Sequence, residues 1–162
     1  MITTSPATAK SYRPGAIGSL MDEYERALRE FQNVLAAVST EDYMRISNPT
    51  SPDPDCLSAQ TIATHVISSG FGYATYIRNA LSIPANRPEI PLLSKEDAIR
   101  RLGEMFEYSL QTFEGRWDMN EDQMLNIHIH TNWSEYDIDS MLEHAIVHLL
   151  RHRRQIEKLV MP

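Results

Sequence analysis

A single cysteine, Cys56, leaves this 162-residue chain without a partner for an intramolecular disulfide, so a disulfide-stapled secreted scaffold is excluded. Long apolar runs are missing too. No stretch approaches the roughly 18 consecutive apolar residues of a membrane-spanning helix, and the segment MITTSPATAK lacks the apolar centre of a secretory signal. The expectation is a soluble, cytoplasmic protein with no membrane partner. Positive charge is also in short supply. Fifteen Lys and Arg stand against 22 Asp and Glu, giving a formal net charge of -7, a field that repels phosphate backbones and anionic lipid. Nucleic acid is therefore not an expected partner.

What is present is helical pattern. From Gly15 onward Ile17, Leu20, Met21, Tyr24, Leu28, Phe31, Leu35 and Val38 recur at three- and four-residue steps between charged residues, which predicts a first amphipathic helix. The stretch NPTSPDPD, residues 48–55, holds three prolines and no large apolar side chain, and reads as a connecting loop. A second helix is expected from about Ser58 to Leu81, closed off by Pro84 and Pro88. Ser94, with Asp97 three residues on, resembles a capping box for a third, whose apolar face runs from Ala98 through Phe113 to Trp117. Asp137 or Asp139 caps a fourth with the inward stripe Met141, Ala145, Leu149, Ile156 and Leu159. Between the last two, LNIHIHTNW alternates and predicts a short extended segment. The expected architecture is an all-α four-helix bundle, with residues 1–14 a flexible N-terminal arm and 15–162 a single domain.

Half of the six histidines lie on one stripe, EHAIVHLLRH at 143–152. A four-residue step turns a helix by about 400°, so residues so spaced differ by about 40° and stand about 6 Å apart along the axis. His148 and His152 can thus aim at one point, and two neutral imidazoles on adjacent turns suit zinc, nickel, copper or iron(II). His144 is turned about 80° from His152, which makes it an alternative ligand, a support for the ligands, or bundle surface. His65, in TIATHVISSGFGYATYI, offers a third ligand, with Ser69, Gly72 and Tyr76 on the same side of its helix. The competing reading of a lone histidine on an apolar face is a hydrogen-bonded core residue. Several neutral imidazoles in one core, however, need a common partner for their nitrogens. Gly70 and Gly72 each cost roughly 0.5–1 kcal/mol inside a helix, so they mark a close neighbour or a cavity. His128 and His130 fit exposed alternation better than a second site. Arg151, Arg153 and Arg154 most simply complement the helix dipole or hold an acidic substrate group, and Cys56 reads as an ordinary thiol.

His65 on the second helix, together with HLLRHRRQI (His148 to Ile156) on the last, resembles the DinB-like (DinB/YfiT) family of four-helix bundles over nearly the whole chain. The resemblance implies a three-histidine site for a divalent metal, with His65, His148 and His152 as ligands and Gln155 in the motif's polar place. Where the family often carries glycine before that glutamine, this chain has Arg154. The resemblance further implies a homodimer and chemistry on low-molecular-weight thiols. The expected cofactor is zinc or nickel, then iron or manganese, with a low-molecular-weight thiol beside it. The expected activity is thiol transfer to a small electrophile through a metal-activated thiolate. A hydrolase using metal-bound hydroxide and a non-catalytic metal- or ligand-binding dimeric module are the alternatives. Ser69, Gly72, Tyr73 and Tyr76 would wall the substrate site, and Glu143 is a candidate carboxylate partner for a ligand imidazole.

Overall fold

A computed structural model describes residues 11–160 of the chain. The elements are α1 (Gly15–Ala37), a short α2 (Thr40–Met44), α3 (Ala59–Ala80), α4 (Lys95–Thr112), a short α5 (Glu121–Leu125), the hairpin of β1 (Ile129–His130) and β2 (Glu135–Tyr136), and α6 (Ile138–Val160). The fold is an all-α bundle with a minor hairpin in the segment read as extended. Helices α1 and α3 each pack against both α4 and α6, so the four long helices close a ring in the order α1, α6, α3, α4. Among the described residues no helix is long and apolar enough to cross a membrane.

The core follows the periodicity. Ile17, Met21, Phe31 and Leu35 of α1 meet Leu102 and Met105 of α4 and Met141 and Ile156 of α6, all fully buried. Tyr24 and Phe106 meet edge to face at 5.6 Å, a favoured aromatic geometry. Gly70 answers one of the two readings offered for the helical glycines. A Cβ there would overlap the Met105 thioether, so the residue lets α3 and α4 approach closely. Polar ties set the register. Arg78 of α3 donates to the Thr112 hydroxyl at 2.9 Å and lies over the Tyr108 ring at 3.9 Å, and Arg153 of α6 pairs with Glu30 of α1.

Helix α3, which carries His65, starts at a reciprocal cap. The Ser58 hydroxyl accepts from Thr61 N–H and the Thr61 hydroxyl accepts from Ser58 N–H, each at 3.1 Å. Replacing Ser58 by alanine should cost about 1 kcal/mol, within the ~0.5–2 kcal/mol range for lost caps, read as a lower urea midpoint at unchanged m-value. At the start of α4 the expected box is only half formed. Ser94 Oγ accepts from Asp97 N–H, but the Asp97 carboxylate takes the Ser94 hydroxyl rather than its amide. Asp137, not Asp139, caps α6 by accepting from Ser140 N–H at 2.7 Å.

Three departures have physical causes. Helix α4 stops at Thr112, before Trp117, because the chain turns through Gly115 at φ 71°; Trp117 still packs on Phe113 at 6.3 Å. The connection after α1 is more than a loop. It holds α2, whose Tyr43 is fully buried and donates to Leu93 C=O, and a 3-10 turn at Pro54–Cys56. Of the arm expected over 1–14, residues 1–10 lie outside the described residues. At its described end Arg13 pairs with Asp22 at 2.6 Å and Glu25 at 2.8 Å.

Candidate metal centre

Helices α3 and α6 pack side by side, and that contact brings His65 against the stripe on α6. His65 Nε2 lies 3.2 Å from His148 Nε2, and one ligand atom from each of His65, His148 and His152 falls within 4.8 Å of the others. Ring centroids are 5.1 Å apart for His65 and His148, 5.2 Å for His65 and His152, and 4.4 Å for His148 and His152. Two nitrogens bound at about 2.0–2.1 Å to one ion lie roughly 2.8–3.4 Å apart, between octahedral and tetrahedral angles. The His65–His148 spacing falls within that interval.

The tautomers favour the same geometry. The Asp55 carboxylate, 2.9 Å from His65 Nδ1, can only accept, so Nδ1 is the donor and Nε2 is the nitrogen turned to the centre. His152 Nδ1 is held at 2.9 Å by Gln155 Oε1, which frees its Nε2 in the same way. Burial first, then the neighbouring His152, His65 and His144 rings and the Arg151 guanidinium, push His148 down to about 3. His152 is lowered by burial, with Gln155 opposing, and His144 by burial and Arg151. The stripe on α6 is therefore neutral at pH 7, the protonation state in which imidazole binds a metal.

Above the three nitrogens opens a cavity of about 610 Å³, walled by the expected Ser69, Gly72, Tyr73 and Tyr76. Gly72 gives the second of the two readings for helical glycines: it lines the cavity, and a Cβ there would stand 3.1 Å from the Arg87 guanidinium carbon. His144 also lines the cavity but stands outside the three-nitrogen group. It stacks on His148 at 6.2 Å, and its Nδ1 lies 3.4 Å from the Tyr136 hydroxyl. His128 and His130 are exposed, His130 facing Glu135 at 3.2 Å. Glu143 is exposed as well, and the carboxylate beside a candidate ligand is Asp55.

The residues overlooked in the sequence are Asp53, Asp55, Arg87 and Trp133, all in connections rather than on helical stripes, and Cys56, read there as an ordinary thiol, lies beside them. Asp55 reaches His65, while Asp53, Arg87, Trp133 and Cys56 line the cavity. Of the three arginines read as dipole partners, Arg151 lines the cavity and Arg153 joins α6 to α1, while the last turn of α6 holds Lys158.

A closed ring of four helices, with three imidazoles converging beneath an open cavity, defines a class of helical bundle able to hold a metal ion. A family model described as the DinB superfamily matches residues 23–156, and the chain belongs to that superfamily. Comparison with curated proteins and with solved structures gave no significant match.

Proposed function

We propose that His65, His148 and His152 bind one divalent ion, zinc or nickel first, and that the bundle uses it to join a low-molecular-weight thiol to a small electrophile. The observation that carries the metal reading is the 3.2 Å approach of two Nε2 atoms. With His65 protonated on Nδ1, its Nε2 lone pair needs a proton or a cation between it and its neighbour. The donor set is neutral, so a bound divalent ion would keep its full charge, acting as a Lewis acid that lowers the pKa of a thiol or water.

The remaining work falls to the chain. Asp55 and Gln155 hold two imidazoles in orientation. The cavity over the three nitrogens leaves room for substrate, which separates this arrangement from a closed structural site. Burial pushes the Tyr73 hydroxyl up to about 12, against the opposing influence of Ser69, Arg151 and Arg87, so it stays a hydrogen-bond donor toward the cavity at pH 7. Tyr76 and Trp133, edge to face at 5.6 Å, offer an apolar wall for the electrophile.

Protein purified without a histidine tag should take up a stoichiometric amount of zinc or nickel. With monochlorobimane as electrophile and a panel of cellular thiols, metal-loaded protein should conjugate at least one thiol faster than chelated protein, and restored metal should restore the rate. Equal rates for every thiol would remove the transferase reading and leave a metal-dependent hydrolase or a non-catalytic metal-binding module. Absence of metal uptake would remove all three.

A further inference from the structure

The cavity is basic inside an acidic protein. Most arginines elsewhere are neutralised at close range, Arg13, Arg29, Arg100 and Arg153 among them. Arg87 and Arg151 line the cavity and make no ion pair with any described residue. Arg87 comes from the connection between α3 and α4, whose Leu93 is tied down by Gln60 and Thr64 of α3. Its Nη2 donates to Ser68 C=O at 3.0 Å and to Ser68 Oγ at 3.2 Å, which fixes the guanidinium over Gly72 while Nη1 and Nε bond no described residue. Arg151 stands on α6 between His148 and His152 and makes no hydrogen bond to a described residue.

Both cations are exposed, and no acidic partner among the described residues accounts for either of them. Arg151 lies well before the last turn of α6, beyond the reach of the helix dipole. The acids nearest the cavity are engaged: Asp53 accepts from Asp55 N–H and the Cys56 thiol, and Asp55 holds His65. An ion bound by three neutral imidazoles would make the cavity more positive still. Two guanidiniums on the wall of one cavity, neither in an ion pair with a described residue, can each donate to a carboxylate bound there.

We propose that Arg87 and Arg151 bind a carboxylate of the thiol substrate, so that the cavity selects acidic thiols over neutral ones. The selection of a thiol rests on the function proposed above; the carboxylate site does not. In a Trp117→Phe background, Trp133 is the remaining tryptophan and lies in the cavity wall, so its fluorescence reads occupancy. Nickel-loaded protein should bind mercaptosuccinate about tenfold or more tighter than 3-mercapto-1-propanol. Arg87→Gln and Arg151→Gln should each remove most of that preference, whereas Arg154→Gln should keep it. Metal-free protein should still prefer succinate to succinamide, again through the two arginines. Equal binding of acid and neutral ligands in both forms, or a preference untouched by both substitutions, would overturn the assignment. A succinate preference with no thiolate-to-nickel absorption band would keep the carboxylate site and sink the metal-thiol reading instead.

Discussion

His148→Ala should lose stoichiometric zinc and nickel binding, with affinity at least about 1000-fold below wild type, beyond the roughly 10–100-fold that loss of an outer partner causes. The reason is position. His148 is the middle of the cluster, 3.2 Å from His65 Nε2 and in ring contact with His152 at 4.4 Å. Removing it leaves two imidazoles on different helices and no third donor to complete the set. His144 stands one turn away, but its ring is engaged by Tyr73 at 5.2 Å and Tyr136 at 5.4 Å, and it lies outside the group that converges. Thermal unfolding supplies a second readout. A ligand at about 100 times its Kd stabilises the folded state by about 2.7 kcal/mol. For a chain of this size each kcal/mol moves Tm by roughly 2–4 °C, so wild type should gain roughly 5–10 °C on metal addition and the variant nothing. The metal-free proteins should melt close together, because His148 lines an open cavity rather than filling the apolar core. Wild-type affinity retained by the variant would move the centre elsewhere.

The fold was readable because its four long helices bury apolar residues at three- and four-residue steps, and that period is local information. Ile17 through Leu35 on α1 and Met141 through Ile156 on α6 are the buried residues that the pattern marks. His65, His148 and His152 were readable for a related reason: two share a helical stripe, and the third lies on the helix whose Gly70 and Gly72 mark a close neighbour or a cavity. Asp55 and Arg87 were not. Each sits in a proline-containing connection whose composition says only that the chain turns there. Their roles depend on where the turn delivers a side chain, through contacts such as Asp55 N–H to Asp53 and Arg87 to Ser68 that no periodicity announces. Trp117 shows the converse limit. It continues the apolar spacing of α4, but the turn at Gly115 ends the helix first.

Asp55→Ala should weaken metal binding by roughly 10–100-fold while leaving the fold intact, the range found when a carboxylate behind a ligand histidine is lost. Asp55 makes one side-chain contact that matters, Oδ2 to His65 Nδ1 at 2.9 Å, and its backbone N–H, bonded to Asp53, survives the substitution. Without the carboxylate the His65 ring is free to turn or change tautomer, and a proton on Nε2 would close the lone pair that faces His148. Asp55→Asn should fall between, since an amide oxygen still accepts from Nδ1 but carries no charge. The competing account is that Asp55 and His65 form an ordinary surface pair, because the Asp55 side chain is 55% exposed and such pairs contribute only about 0–1 kcal/mol. The two accounts part in calorimetric titration with zinc. A surface pair predicts metal affinities within about fivefold of wild type for both variants. A positioning role predicts the order wild type, asparagine, alanine, with unchanged melting of the metal-free proteins, because the Ser58 cap and the buried face of α3 are untouched.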